Sequence, residues 1–323
     1  MTQCNICPRE CDLKEGQTGA CGARHAAGDK VVPVVPGILS AIHLDPIEKK
    51  PLNHFYPGTT ALSLGSFGCN LFCKGCQNHE ISRASAKDTS GFRMSPAQIV
   101  AQAKAYDCPT IAYTYNEPII WAEFVHETAQ AVREAGLNNV MVTAGYVHEK
   151  TREWLFSNID AANVDLKGFT EDFYQSWTGA HLQPVLDTLE YLNSIPGFCL
   201  EITTLLIPGM NDKSSELEAE FAWIAEHLGP DIPLHLSAFH PDYKATNIPC
   251  TPIETLLNAN RLAKAAGLHY VYLGNVRIAS DTLCPACHQT LIKRMGYMTQ
   301  IVGLKDGKCS QCNHDIYGKW NRP

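Results

Sequence analysis

The sequence predicts an α/β protein with a parallel central sheet and a cysteine-rich segment at each end. Between about residues 61 and 268, short buried apolar runs alternate with longer amphipathic stretches in six strand-then-helix units, and a terminal strand follows at 270–276. Regular alternation of this kind is typical of parallel strands that are joined by covering helices. Eleven of the fourteen cysteines fall in three local groups, two of which lie outside the alternating region.

Three regions follow from these patterns. A cysteine-rich segment with its linker covers residues 1–58, the α/β body covers 59–278, and a short tail covers 279–323. The chain has 323 residues, of which 45% are hydrophobic. This is enough to bury one large core and to carry appendages.

The predicted elements of the body follow one another in a fixed order. The first strand, over 61–69, ends in a cysteine loop, and the first helix, over 95–107, begins with Ser95 as its N-cap. An open doubly wound sheet and a full or partial barrel both satisfy this order, and both place chemistry beyond the carboxyl ends of the strands. The remaining strands are predicted over 110–118, 138–146, 161–169, 199–209 and 233–241, and the remaining helices over 119–136, 148–157, 184–194, 214–228 and 252–266.

Composition and charge exclude several classes of function. A net charge of −7 and a pI near 6.0 argue against nucleic-acid binding, which needs a basic face. The sequence has no apolar run of 18 residues and no apolar region of a secretory signal near its start, which predicts a cytoplasmic protein without a membrane partner. It also lacks the glycine-rich dinucleotide fingerprint, the Walker loop and the serine-hydrolase elbow.

Polar side chains recur where the predicted strands end. Taken singly, each is typical of a helix cap or a turn. Their recurrence at successive strands favours one shared opening, or mouth, at the carboxyl ends of the strands. Residues two apart in a strand share a face, so Asp165 and Lys167 are both expected to face this mouth. The residues concerned are Asn116, Glu117, Thr143, Asp165, Lys167, Asn211, Asp212 and His240.

The loop "GCNLFCKGCQN" (68–78) places Cys69, Cys73 and Cys76 close together after the first strand. A closed zinc site takes four protein ligands, and a four-iron cube is usually held by four thiolates. Three thiolates on such a cube leave one iron open to a substrate or a cofactor. The alternative is a zinc or cluster site that is completed by a distant ligand, such as a remote cysteine or His79. The triplet alone does not decide between the two.

The tail contains two C-x2-C pairs, "CPAC" and "CSQC", with 21 residues between them. Paired knuckles at this separation predict a tetrahedral four-sulfur site of zinc-ribbon or rubredoxin type. Both zinc and iron suit such ligands, and zinc is favoured because nothing nearby calls for a redox partner. The predicted ligands are Cys284, Cys287, Cys309 and Cys312.

The N-terminal group has looser spacing within a glycine-rich stretch. Four thiolates there would hold zinc or an auxiliary iron–sulfur cluster, with a slight preference for zinc. The residues are Cys4, Cys7, Cys11 and Cys21. The remaining cysteines, Cys108, Cys199 and Cys250, lie apart from the groups in sequence and are expected to be buried as small hydrophobic residues.

The C-x3-C-x2-C spacing at the end of a first barrel strand resembles that of radical S-adenosylmethionine (SAM) enzymes. The resemblance implies a partial (β/α)6 barrel and a [4Fe–4S] cluster on Cys69, Cys73 and Cys76, whose open iron binds the amino and carboxylate groups of SAM. It implies oxidoreductase chemistry, in which an electron from the reduced cluster splits SAM into methionine and a 5′-deoxyadenosyl radical that abstracts hydrogen. An electron donor such as flavodoxin or ferredoxin is the implied partner.

Later motifs extend this resemblance along the body. "TYNEP" (114–118) looks like the G-G-E-P motif that binds the SAM amino group, and "VTAGY" (142–146) lies where relatives often carry T-N-G. "VDLKG" (164–168) resembles the D-x-K of activating enzymes for pyruvate formate-lyase, and "LIPGMND" and "SAFHP" match the fifth and sixth strand ends. Gly75 and Ala144 depart from the usual aromatic and Asn residues. The implied cofactor-binding residues, besides the three cysteines, are Asn116, Glu117, Thr143, Asp165, Lys167 and His240.

A closer resemblance covers nearly the whole chain. "CPRECDLKEGQTGACGAR", "DPIEKKPLNHFYPG" (45–58), the cysteine loop and the paired tail knuckles occur together in this order. This set looks like the radical SAM enzyme of the AmmeMemoRadiSam system, which implies a Memo-like partner protein. The substrate does not follow from it.

Two other functions remain open at this stage. One is an activating enzyme that installs a glycyl radical on a partner protein, whose larger members carry extra cysteines after the first cluster loop. Residues 77–94 of this chain contain no cysteine, which ranks this function second. The other is a non-catalytic metal scaffold with zinc at all three cysteine groups. Such a scaffold would not need the SAM-type motifs at the strand ends.

Overall fold

The computed structural model describes residues 1–85 and 90–321 of the chain. Residues 86–89 of the predicted body and residues 322 and 323 of the predicted tail lie outside the described residues. The centre of the protein is one eight-stranded sheet in which the strands lie side by side in chain order. Its strands are β1 (Ala41–Pro46), β2 (Thr60–Gly65), β3 (Thr110–Tyr113), β4 (Asn138–Thr143), β5 (Ala161–Asp165), β6 (Cys199–Leu206), β7 (Leu234–Ala238) and β8 (Val271–Gly274).

The strand order decides between the two architectures that the sequence left open. Strands β2 to β8 are parallel, and β1 runs antiparallel to β2 at one edge. A doubly wound sheet would reverse its strand order at a switch point, whereas a barrel keeps consecutive order. The described strands keep consecutive order, and the β1 and β8 edges are not paired with each other. The α/β class and the six strand–helix units are therefore confirmed, and the sheet begins before residue 59, where the body was expected to start.

Six main helices connect the parallel strands and pack on their outer face. The first has a capping box, in which the Ser95 side chain accepts from the backbone N–H of Gln98 and the Gln98 side chain returns to Ser95. The helices are α1 (Pro96–Ala105), α2 (Ala122–Glu134), α3 (Glu149–Phe156), α4 (Gln183–Ser194), α5 (Ser214–Trp223) and α6 (Ile253–Ala265). Shorter helical turns lie at Ile47–Lys49, His79–Ser82, Pro118–Trp121, Glu171–Phe173, Tyr174–Thr178 and Ile224–Leu228.

Residues 47–58, here called the floor segment, fill the inner face of the sheet near the amino-terminal ends of the strands. Ile47, Leu52 and Phe55 are fully buried there. A flat sheet of five strands would be about 19 Å wide, which is too wide for three side chains to contact every strand. The sheet must therefore curl around these three side chains. They form one apolar cluster with a residue from each of five successive parallel strands, namely Ala61, Ala112, Val140, Ala161 and Cys199.

The N-terminal lobe is built from short hairpins and packs on the cysteine loop. The backbone N–H of Cys69 donates to the carbonyl of Cys21 at 3.2 Å, and the Arg9 guanidinium donates to the carbonyls of Asn70 and Gly179, both at 2.5 Å. The first cysteine group is therefore next to the second. The hairpins pair Thr2–Gln3 with Asp12–Leu13 and Arg24–Ala27 with Lys30–Pro33, and Ile38–Leu39 pairs with Phe92–Arg93 nearby.

The C-terminal lobe packs against the floor segment. The Arg294 guanidinium donates to the carbonyl of Asn53 at 2.7 Å, and the backbone N–H of Lys319 donates to the carbonyl of His54 at 2.7 Å. The lobe contains a three-stranded antiparallel sheet of Thr282–Leu283, Thr290–Met295 and Met298–Ile301, and a hairpin of Leu304–Lys305 and Lys308–Cys309. None of the helices described here is both long enough and apolar enough to cross a membrane.

Candidate active site

A cavity of about 530 Å³ opens at the carboxyl ends of the parallel strands. Its volume is within the range of small-molecule sites in proteins. The sequence named nine cofactor-binding side chains, and eight of them line this cavity. The eight are Cys69, Cys73, Cys76, Asn116, Glu117, Thr143, Asp165 and Lys167.

The ninth predicted residue, His240, does not line the cavity. Its side chain is exposed, and its Nδ1 lies 3.4 Å from the sulfur of Cys250. His240 lies two residues beyond the end of β7, after the fully buried Phe239, and is therefore outside the strand that was expected to position it. Asn211 and Asp212 also lie outside the lining. Their side chains accept from the backbone N–H groups of Ile207 and Gly209 and so stabilise the turn after β6.

Backbone geometry and side-chain amides position the cysteine loop. Gly68 has a φ of +85°, and a Cβ there would collide with the carbonyl oxygen of Cys21, so a larger residue is excluded. Asn116 accepts from the backbone N–H of Ser66 and donates to the carbonyl of Gly68, both at 2.9 Å. Arg83 donates to the carbonyls of Cys69 and Leu71 from the other side. Asn116 is therefore a positioning residue for this loop.

The spacing of the three loop sulfurs fits a cluster better than a single ion. In the described part of the chain, the tail cysteines are the one set of at least three potential ligands whose atoms all lie within 4.8 Å of one another. The sulfurs of Cys69, Cys73 and Cys76 are thus farther apart than one ion requires. A four-iron cube binds each thiolate through a different iron, which separates the thiolates. Three thiol donors that do not converge on one point are compatible with such a cube.

Glu117 lies opposite the cysteine loop and is 3% exposed. Its carboxylate accepts from the hydroxyl of Thr143 at 2.5 Å and from the backbone N–H of Ala144 at 2.8 Å. Burial raises the pKa of Glu117 to about 7, although these hydrogen bonds oppose the shift. A cation that enters the cavity would therefore meet a carboxyl group that is held in a fixed position and ionises readily beside it.

Asp165 is the last residue of β5, and Lys167 lies two residues beyond it. Both line the cavity. The Lys167 ammonium is 2.9 Å from a carboxylate oxygen of Asp165. Burial opposes the charge on Lys167, but the nearby carboxylate outweighs it and holds the pKa of Lys167 above its usual value. The lysine is therefore a permanent cation that faces the cavity and can bind a carboxylate.

Sequence reasoning missed Trp177, which supplies an aromatic wall of the cavity. A Cβ on Gly75 would press against the rings of Phe239 and Trp177. The aromatic residue that the family resemblance implies at position 75 would therefore have no room beside these two rings. Trp177 belongs to a short turn, Tyr174–Thr178, in which no periodic pattern marked it as functional.

The four tail cysteines converge on one point, as the paired knuckles predicted. The sulfurs of Cys284 and Cys312 are 3.6 Å apart, and those of Cys287 and Cys309 are also 3.6 Å apart. Zinc–sulfur bonds of about 2.3 Å in a tetrahedron place sulfurs roughly 3.8 Å apart. The group can hold one tetrahedral ion, and its ligands alone do not distinguish zinc from iron.

The N-terminal cysteines differ from the tail group in their spacing. Cys4 and Cys7 are buried, and Cys11 and Cys21 are partly buried. No three of these four sulfurs lie within 4.8 Å of one another among the described residues. Outside the groups, Cys108 and Cys199 are buried as expected, but Cys250 is exposed. The prediction was wrong for Cys250, because it lies in the segment between β7 and α6, away from the core.

Comparisons with known proteins agree with this fold. Residues 64–222, which run from the end of β2 to α5, match the radical SAM superfamily. The chain is 41% identical to an uncharacterized protein of Methanocaldococcus jannaschii over 97% of this chain and 94% of that protein. It is 24% identical to the benzylsuccinate synthase activating enzyme of Thauera aromatica, over 51% of this chain and 54% of that enzyme.

A solved structure with a similar fold is a radical SAM methyltransferase from Sphaerobacter thermophilus. The two share 15% sequence identity with a TM-score of 0.51, over 68% of this chain and 67% of that one. At this identity the likeness concerns the fold.

Proposed function

Because this chain belongs to the radical SAM superfamily of enzymes, we propose that it cleaves SAM reductively and abstracts a hydrogen atom from a small substrate. The observation that carries the proposal is the meeting of three thiols, a buried carboxyl group and a paired lysine in one cavity. These are Cys69, Cys73, Cys76, Glu117 and Lys167. In the proposed reaction the cysteines would hold the cluster, and Glu117 and Lys167 would bind two different groups of SAM.

In this proposal the three cysteines hold a [4Fe–4S] cluster that leaves one iron free. Glu117 accepts a hydrogen bond from the ammonium of SAM, and the Thr143 hydroxyl orients the Glu117 carboxylate. Lys167 pairs with the carboxylate of SAM, and Trp177 offers an aromatic face to the adenine ring. Asp165 keeps Lys167 in place.

When bound and reduced, a cluster held by the three cysteines would supply the electron that splits SAM into methionine and a 5′-deoxyadenosyl radical, and that radical would remove a hydrogen atom from a substrate C–H bond to give 5′-deoxyadenosine and a substrate radical. The apolar wall made by Val142, Leu205 and Ile207 would keep water away from the radical.

The test uses the anaerobically reconstituted full-length protein. Replacing Cys69, Cys73 and Cys76 together with Ala should abolish labile sulfide at this site and 5′-deoxyadenosine formation, while the tail metal stays bound. Cys250→Ala, at an exposed cysteine outside the groups, is the matched control and should keep both properties. SAM cleavage at the wild-type rate in the triple variant would refute the proposal.

A second candidate function is the activation of a glycyl-radical enzyme. It is supported by the similarity to the Thauera aromatica activating enzyme, which covers about half of each chain. The absence of cysteine between residues 77 and 94 counts against the larger members of that group. Hydrogen transfer from a glycine of a partner protein to 5′-deoxyadenosine, measured with deuterated glycine, would favour this function over a small substrate.

Within the superfamily, we propose that the chain is the radical SAM enzyme of the AmmeMemoRadiSam system. The support is the order of the four sequence segments, including "DPIEKKPLNHFYPG". A Memo-like protein would be its partner, and flavodoxin or ferredoxin its electron donor. Co-purification with a Memo-like protein, and reduction of the cluster by flavodoxin, are the measurements that check these two points.

A further inference from the structure

The active-site cavity extends beyond the residues that the proposed function uses. Besides the cysteine loop, its lining includes Tyr115 and the two lysines Lys49 and Lys50, whose part of the cavity is here called the inner end. Both lysines belong to the floor segment, within the motif "DPIEKKPLNHFYPG". Neither residue has a role in binding the cluster or SAM in the arrangement proposed above.

The inner end of the cavity contains two lysines and one carboxylate. Lys50 lies 2.7 Å from one oxygen of Asp45, and Lys49 lies 2.8 Å from the other. The side chains of Lys50 and Asp45 are 3% and 6% exposed. Burial opposes the charge on Asp45, but the two lysines and the Tyr115 hydroxyl outweigh it and hold its pKa well below the usual range. The three charged groups therefore carry one surplus positive charge.

Tyr115 forms the wall between this end and the cysteine loop. Its hydroxyl donates to Asp45 at 2.6 Å, and the Lys50 ammonium lies 4.6 Å from its ring centre. The residue has a φ of +71°, which is rare for a side chain other than glycine. A Cβ on Gly65 would press against the Tyr115 ring, so glycine at 65 leaves room for the ring. The positive φ of Tyr115 and the lack of a side chain at Gly65 together allow this ring to lie over the floor segment.

A purely structural ion pair does not account for this arrangement. One lysine would neutralise Asp45 and anchor the floor segment to β1, yet two lysines face the same carboxylate and the same cavity. The other charged group of the floor segment, Glu48, is directed elsewhere, since it accepts from the backbone N–H of Gly58 and from the hydroxyl of Thr299. Asp165 and Lys167 form a neutral pair farther along the cavity. Among the described residues, the ion pairs at the inner end therefore leave one lysine charge more than Asp45 balances.

We propose that Lys49 and Lys50 bind the carboxylate of a small organic acid, which is the substrate class of this enzyme. The inference rests on the proposed radical SAM function. A single surplus positive charge balances one carboxylate, whereas a phosphate dianion would leave a negative charge uncompensated beside the buried Lys50 and Asp45. With its carboxylate held at the floor, the rest of the acid extends toward the cysteine loop, where hydrogen abstraction takes place.

The test measures binding separately from chemistry. A series of short aliphatic monocarboxylates and their matched primary amides is titrated by calorimetry into the anaerobic, cluster-containing protein with saturating SAM. We expect at least one carboxylate to bind tenfold or more tightly than its amide. Lys50→Met should lower that affinity at least tenfold, and Lys49→Gln should lower it less, because Lys49 is the more exposed of the two. Lys104→Met, on the exposed face of α1, is the control and should leave the affinity unchanged.

A second variant covers the case in which Lys50→Met does not fold. Asp45→Asn removes the compensating negative charge, so it should tighten carboxylate binding, whereas a purely structural role of Asp45 predicts no such gain. The proposal is overturned if no carboxylate binds, if acids and amides bind equally, or if Asp45→Asn leaves affinity unchanged. SAM cleavage in the same preparation separates the two hypotheses. Cleavage without carboxylate binding refutes this inference alone, and carboxylate binding without cleavage refutes the proposed function alone.

Discussion

The hydroxyl of Thr143 donates to the carboxylate of Glu117 at 2.5 Å across the mouth of the barrel. Glu117 lies after β3 and Thr143 lies at the end of β4, so two neighbouring strands fix the position of the Glu117 carboxyl group. Glu117→Gln keeps the size of the side chain but removes the charge, and we expect it to weaken SAM binding by tenfold or more, since hydrogen bonds to charged groups contribute about 1.5–3 kcal/mol. Thr143→Ala should have a smaller effect.

Equilibrium binding of SAM to the reconstituted protein checks this prediction. Glu127→Gln, an exposed position on α2, provides the same chemical change away from the cavity. Equal SAM affinity in Glu117→Gln and Glu127→Gln would mean that Glu117 stabilises only the protein.

Trp177 gives a second prediction. Its ring lines the cavity beside Gly75. Aromatic stacking contributes about 0.5–1.5 kcal/mol beyond the buried area, so Trp177→Leu should weaken SAM binding by roughly two- to tenfold. Trp154→Leu, at a partly exposed tryptophan of α3, is the control. An unchanged affinity in Trp177→Leu would place the adenine ring elsewhere.

The sequence predicted the sheet and most of the site because both depend on local pattern. Strand alternation and motif spacing placed Glu117, Asp165 and Lys167 at strand ends, and parallel strands bring such ends together. Pattern could not place His240, since it lies beyond the end of β7, where strand periodicity no longer fixes the direction of a side chain. It could not find Trp177 either, because that contact joins residues about a hundred positions apart in sequence.

The floor segment is a clearer example of a feature that sequence pattern could not predict. Its motif was recognised, but its position inside the sheet depends on long-range packing of Leu52 and Phe55 against five strands. Nothing in the sequence pattern therefore marks Lys49 and Lys50 as residues of the cavity. Only the curled sheet brings them to the cavity.

The tail metal gives the third prediction. Cys309→Ser with Cys312→Ser should release the ion and make residues 279–321 sensitive to protease, because a lobe this small depends on its metal for stability. The cluster bound by the loop cysteines should stay, as judged by its visible absorbance. Limited proteolysis and zinc and iron analysis check both points, with Cys250→Ser as the control. A tail that stays protected without metal would show that packing on the floor segment suffices.

The N-terminal cysteines give the fourth prediction. Their sulfurs do not converge as those of the tail do, although the sequence slightly favoured zinc at this group. We expect an auxiliary iron–sulfur cluster, since a polynuclear group accepts thiolates that are farther apart. Replacing Cys4, Cys7, Cys11 and Cys21 with Ala should therefore remove iron and sulfide beyond one [4Fe–4S] cluster and leave the zinc content unchanged. Loss of zinc alone would contradict this assignment.

Glu220 gives the last prediction, on stability against pH. This carboxyl group on α5 is fully buried, accepts from the hydroxyl of Thr204 at 2.5 Å, and has one oxygen without a hydrogen-bond partner among the described residues. Burial raises its pKa from 4.5 to about 8. Between these two pKa values the folded state binds more protons than the unfolded state, so the free energy of unfolding falls as pH rises through this window.

Glu220→Gln mimics the protonated acid and should remove this dependence. The variant should be more stable than the wild type above about pH 8, by an amount on the order of a few kcal/mol, while near pH 5 the two should differ little. Thermal unfolding at several pH values measures the difference, with Glu218→Gln on the exposed face of the same helix as the control. Equal melting temperatures of Glu220→Gln and wild type at high pH would show that Glu220 is ionised and solvated in the folded protein.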